Sequence, residues 1–127
     1  MPEKKTLERA RKAKREGKAP TTQAGAFVHE EIEHVRKGQH GARSTKQAIA
    51  IGLSKARRAG VKLSPPKKGT ASARTRKQAQ RDLSQAKSGR KTSPSRSRAT
   101  RRALKREGRS AASRKALSRQ ARTARRK

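Results

Sequence analysis

Large apolar side chains are sparse along this chain, and where they occur before residue 64 they fall at helical spacing. Residues 4 to 16 place Leu7, Ala10 and Ala13 on one side, with basic residues elsewhere and Gly17 as terminator. In residues 23 to 37, after Thr22 as expected N-cap, Val28, Ile32 and Val35 stand at i, i+4 and i+7, with Phe27 and Ala24 beside them and Gly38 closing the segment. A third helix is expected over 45 to 59, with Ile49, Leu53 and Ala56 as its packing stripe. Its ends are the best marked. Ser44 followed by Gln47 reads as a capping box, and Gly60 occupies the left-handed position after the last turn, letting Val61 fold back on Ala56. Gly52 is the misfit, since glycine in a helix interior costs about 1 kcal/mol relative to alanine. A close helix crossing there would account for it, and so, almost equally well, would a glycine that the helix simply tolerates.

The pattern stops at "LSPPKKG", residues 63 to 69, where paired prolines end any helix. Beyond Ser64 the larger apolar residues are Leu83, Leu104 and Leu117, too widely spaced for a core. This half is rich in Ser, Ala, Arg and Lys, a composition expected to be largely disordered when free, with nascent helices at about 72 to 87, 97 to 107 and 110 to 125. The string Lys14-Arg15-Glu16-Gly17 recurs as Lys105-Arg106-Glu107-Gly108, each expected to close a basic helix on a C-cap glycine. The predicted fold class is all-α: a small three-helix unit over 1–63, marginal alone, followed by a basic tail over 64–127.

Charge then dominates the functional reading. Against 39 Lys and Arg stand 8 Asp and Glu, a net +31 on 127 residues. Residues 1 to 63 hold 16 basic and 6 acidic side chains, and 64 to 127 hold 23 and 2. Solubility needs far less. A polyanion is implied, and nucleic acid binds such a chain by releasing condensed counterions. A membrane surface is a poor alternative, because an interfacial helix needs bulky apolar anchors and the chain has one Phe, no Trp and no Tyr. No apolar run is long enough to span a bilayer, and the N-terminus lacks the apolar core of a secretory signal. The expected location is cytoplasmic and nucleoid-associated. Without cysteine there is no disulfide or thiolate zinc site, and no cofactor is expected.

Enzyme chemistry finds little support. "HEEIEH", residues 29 to 34, resembles a zinc-protease helix, but His29 and His34 are five apart and lie about 140° around a helix from each other, so they cannot grip one ion. Pairing Glu30 with His34 fits one face better but lacks a third ligand. No metal site and no catalytic residue are expected. "GQHGARSTK", residues 38 to 46, lacks the Gly-Lys-Ser/Thr step of a P-loop. The start of the third helix, with Arg43, Ser44, Thr45 and Lys46, is equally a phosphate seat or a plain cap. Glu30, Glu31 and Glu33 are expected either to pair with Arg36, Lys37 or the first helix, or to orient the domain by repelling phosphates.

"SPPKK" (64 to 68) and "SPSRSR" (93 to 98) resemble the Ser-Pro-basic turns of linker-histone tails, which project cations toward a minor groove. Phosphorylation at Ser64, Ser93 or Ser95 would weaken anion binding. The lack of aromatics argues against base stacking and for backbone contacts on a duplex. The expected nucleic-acid-binding residues are Arg43, Lys46, Lys55, Arg57, Arg58, Lys67, Lys68, Arg74, Arg76, Lys77, Arg101, Arg102, Lys105, Arg106, Arg122, Arg125 and Arg126.

"HGARSTKQAIAIGLSKARRAG", with the upstream "APTTQAGAFVHEEIEHVRKG", resembles a family of small basic bacterial proteins carrying a domain of unknown function, over about residues 1 to 63. The tail is similar to the lysine- and alanine-rich tails of bacterial nucleoid proteins. The resemblance implies a bacterial setting and no mechanism. The functional expectation is a non-enzymatic, largely sequence-independent binder or condenser of duplex DNA. Alternatives are a structured-RNA or ribosome-associated protein, and an adaptor that uses residues 44 to 63 for protein association or self-association.

Overall fold

Three glycines set where the first helices stop. In the computed structural model, which describes residues 3–67, 71–88 and 93–125, Gly17, Gly38 and Gly60 all carry positive φ (74°, 77° and 104°). Each helix closes on a paired 6→1 and 5→2 hydrogen-bond pattern. For the third, the Val61 N–H donates to Ala56 O (3.0 Å) and the Gly60 N–H to Arg57 O (3.1 Å). The helices so bounded are α1 (Lys4–Arg15), α2 (Pro20–Arg36) and α3 (Thr45–Arg58). α2 begins earlier than its expected Thr22 cap. Pro20 is its first residue, where a fixed φ and a missing N–H cost a helix nothing.

Past the prolines the described residues are also helical: α4 (Ala73–Ser88), α5 (Pro94–Lys105), a 3-10 turn (Ser110–Ala112) and α6 (Arg114–Arg125). The protein is all-helical, with every regular element among the described residues a helix. One terminator differs from expectation. α5 ends at Lys105 with Arg106 as its right-handed cap, and Gly108 lacks the positive φ of Gly17. Gly108 serves instead as an acceptor, taking the Ala42 N–H on its carbonyl (3.1 Å).

The chain gathers into two compact units, and each draws on both sides of the prolines. The first comprises residues 1–27 and 52–91: α1, the start of α2, the end of α3, and α4. Its core is Ala10, Ala24, Phe27, Ala56 and Val61, with Leu7, Leu53 and Leu63 against it. The second comprises residues 28–51 and 92–127, with Val35, Ala42, Ala48, Ala111 and Ala112 packed together and Ile32 alongside.

Both cores rest on small side chains. On α3 the buried line is Thr45, Ala48, Gly52 and Ala56, while Ile49, Ile51 and Leu53 are half-buried. The expected Ile49-Leu53-Ala56 stripe is therefore rotated toward the alanines. Gly52 lies on the buried face of α3. On α2 the buried line is Ala24, Phe27, Glu31 and Val35, which puts a carboxylate where a hydrophobic side chain would normally sit.

Glycine is also indispensable at Gly41. Its N–H donates to Leu104 O (2.8 Å), and a Cβ built there would collide with the Glu107 backbone. Around it, segment 106–112 accepts from Ala42, from Thr45 Oγ1 to Ala111 O (2.6 Å) and from Arg36 Nε to Ala112 O (3.1 Å). Arg109 returns a bond to Arg36 O (3.3 Å).

Candidate nucleic-acid interface

The acidic residues explain how the cations are presented. Asp82 on α4 is buried and accepts three hydrogen bonds: Ser54 Oγ at 2.8 Å, Arg58 Nε at 3.0 Å and Gln78 Nε2 at 3.1 Å. α4 is thus tied to α3 through one carboxylate. Glu33 pairs with Arg36 (3.4 Å) on the same helix, as the sequence suggested. Glu31 is fully buried and faces two histidines, His40 Nε2 at 3.1 Å and His34 Nδ1 at 3.8 Å. Of eight acidic residues, then, Glu30, Glu31 and Asp82 are buried, leaving an outward surface more positive than composition alone indicates.

The cations sort by exposure. In the first unit Arg58, Lys67, Arg74 and Lys77 are exposed, while Lys55 and Arg76 are half-buried. Arg76 Nε donates to Pro66 O (3.2 Å). Arg57 stands apart. It is buried, and its guanidinium donates to Leu63 O (3.1 Å) and Ser64 O (2.9 Å), pinning the segment that leaves α3 toward the prolines. Burial lowers its pKa from the ordinary arginine value and Asp82 acts in the opposite direction. In the second unit Arg43, Lys46, Arg101, Arg102, Lys105, Arg106, Arg122 and Arg125 are all exposed. Lys68 and Arg126 lie outside the described residues.

α5 and α6 are the extreme case. Each has five Lys or Arg in twelve residues and no Asp or Glu, and neither buries a residue. By sequence halves the net charge is +10 and +21. The compact units hold 21 basic and 4 acidic residues (+17) and 18 and 4 (+14), so folding shares the charge almost evenly.

Two expected anion features take structural roles. At the start of α3 the Ser44 hydroxyl accepts the Gln47 N–H (3.2 Å), and Gln47 Oε1 accepts the Arg43 N–H (2.6 Å) in place of Ser44's own. The Thr45 hydroxyl is committed to Ala111 O, while Ser44 Oγ accepts within the cap and Arg43, Ser44 and Lys46 stay exposed beside it. In "SPSRSR", Ser93 is the N-cap of α5, accepting the Arg96 N–H (3.3 Å), with Pro94 at its first position. That string begins a helix and is not an isolated turn.

The pairing of Glu31 with His34 and His40 leaves little trace in the sequence pattern. Glu31 and His34 are three apart on α2, and His40 follows from the loop that Gly38 opens, a spacing no helical wheel would display. His29 is exposed.

No helix among the described residues is long and apolar enough to cross a membrane. Neither curated proteins nor solved structures yield a match to this chain. A family model does, over residues 4–68, a span that covers α1 to α3 and the segment pinned by Arg57 and stops short of α4. By that match over half its length, the chain belongs to DUF6496, a family of unknown function.

Proposed function

We propose that this protein is a non-enzymatic, sequence-tolerant binder of duplex nucleic acid, most directly DNA in a nucleoid setting, acting through phosphate neutralisation. The observation that carries the reading is α5 and α6: two helices with ten cations between them, no acid and no buried residue. Neither helix forms for the sake of a core. Along them Arg98 faces Arg101 and Arg102, Lys105 faces both of those, and Arg119 lies between Lys115 and Arg122 at one-turn spacing. Like charges at that spacing oppose the helix by a few tenths of a kcal/mol per pair, together about 2–3 kcal/mol. A phosphate backbone converts that repulsion into attraction. On this reading residues 1–63 are the helical anchor and residues 64–127 the basic arm, whose last two helices are weakly held until phosphates neutralise them.

Arg43, Lys46, Arg58, Lys67, Arg74, Lys77, Arg101, Arg102, Lys105, Arg106, Arg122 and Arg125 are the proposed contacts, and Arg57 holds the fold behind them. Scarcity of aromatic side chains favours backbone contact over base stacking. The test is the salt dependence of binding to a labelled duplex. Neutralising about 8 phosphates gives a slope of log affinity against log salt near −7. A slope shallower than about −2 overturns the mechanism, and preference for ribosomal RNA over duplex at matched salt moves the assignment to RNA.

A second reading draws on Ile49 and Ile51, which remain half-buried on α3. They favour association with a protein partner or a second copy, the basic arm serving to localise it. Ile49→Ser that abolishes association while leaving the helical signal intact would support this adaptor role.

A further inference from the structure

We infer that Glu31, His34 and His40 form a zinc-class metal site that clips the end of α2 to the loop preceding α3. Each offers one donor atom, and the three donors lie within 4.8 Å of one another. Glu31 is fully buried, and the two histidine side chains are 12% and 13% exposed, so the cluster is shielded yet reachable. Two neutral imidazoles and a carboxylate are a donor set suited to Zn²⁺.

His40 supplies the decisive geometry. Its Nδ1 lies 2.8 Å from Gly41 O and its Nε2 lies 3.1 Å from Glu31 Oε2. A carbonyl and an ionised carboxylate are both acceptors, whereas a neutral imidazole has one N–H. With that hydrogen on Nδ1, donating to Gly41 O, the Nε2 lone pair points at a carboxylate lone pair. A cation between them resolves the conflict. Anchoring one ring nitrogen on a carbonyl while the other binds metal is the usual arrangement of a ligating histidine. Zinc holds nitrogen and oxygen donors at about 2.0–2.2 Å, which in a tetrahedron places neighbouring donors about 3.3 Å apart. The 3.1 Å separation is to Glu31 Oε2 and the 3.8 Å one to Oε1, so the histidines address the two oxygens of one carboxylate, and the three side chains must close from a spread of up to 4.8 Å to reach that spacing. The fourth position is left for water.

The competing occupant is a proton held between His40 Nε2 and Glu31 Oε2. Titration of the full chain with Zn²⁺, followed by calorimetry and by the visible absorption of Co²⁺ as a stand-in, separates the two. One equivalent of Zn²⁺ is expected to bind. His34→Ala and His40→Ala should each weaken it by at least about tenfold, while His29→Ala, on the same helix but exposed, should leave it unchanged. His40→Gln, which keeps a polar side chain of similar reach, guards against unfolding, and its circular dichroism should match the parent while Zn²⁺ affinity falls. Failure of the parent to bind Zn²⁺, or equal affinity in parent and His40→Gln, overturns the site.

Discussion

Replacing Asp82 with alanine tests whether the chain beyond the prolines is docked before any nucleic acid arrives. The carboxylate is buried and accepts from Ser54, Arg58 and Gln78. A hydrogen bond to a charged group contributes about 1.5–3 kcal/mol. The Ser54 bond is taken at the lower end, because its hydroxyl can be rehydrated. Arg58 is 41% exposed, so its share is discounted to the ~1 kcal/mol of a solvent-screened pair. Gln78, one turn away on the same helix, adds a few tenths of a kcal/mol. The sum is about 3 kcal/mol, and for a chain of this length about 10 °C in Tm. Asp82→Asn should lose about half as much, since it keeps the shape and one acceptor oxygen but not the charge. Thermal unfolding by circular dichroism, at physiological salt and free of nucleic acid, measures both. If Asp82→Ala melts within about 2 °C of the parent, α4 is not held against α3 in the free protein and the arm is as disordered as its composition suggests.

Glycine substitutions should separate by position. Gly41→Ala drives a methyl into the Glu107 backbone and should destabilise the second unit by about 2–3 kcal/mol, read as lost hydrogen-exchange protection at Ala42. Gly60→Ala, at φ 104°, should cost about 1–2 kcal/mol, whereas Gly25→Ala, in a helix interior with open space around it, should stabilise by about 0.5–1 kcal/mol; denaturant midpoints decide. Raising KCl without nucleic acid should increase helical ellipticity by screening α5 and α6, and a flat or falling signal contradicts the repulsion assigned to them. Changing Arg101, Arg102, Arg122 and Arg125 together to Gln should flatten the salt slope by as much as about 4 if each meets a phosphate.

Helix positions were legible because their punctuation is local. Gly17, Gly38 and Gly60 mark ends through their own φ preference, and the Ser44 cap needs only three residues of context. The packing faces were harder to read. A wheel drawn on Ile49 and Leu53 ranks residues by size, whereas the buried line of α3 runs through Ala48, Gly52 and Ala56 with the larger side chains half-buried beside it. Asp82 and Arg57 were invisible for a different reason. A lone acid in a basic helix and one arginine among thirty-nine cations have no local signature, and their roles depend on carbonyls and hydroxyls brought from elsewhere in the chain. His40 was hidden by a glycine turn that breaks the periodicity linking it to Glu31. Exposed cations, by contrast, were easy to nominate, since nearly any Lys or Arg in such a sequence reaches solvent.

The seat around Gly41 bears on how freely such an arm could be exchanged. Leu104, Gly108, Ala111 and Ala112 lend their carbonyls to Gly41, Ala42, Thr45 and Arg36, although the family match ends at residue 68. A transplanted arm of identical charge but scrambled order would still coat a polyanion, yet it would strand four donors near the head of α3. Interchangeability therefore ends where the backbone of 104–112 begins to matter, and engineers grafting this head onto another basic extension should carry those nine residues along.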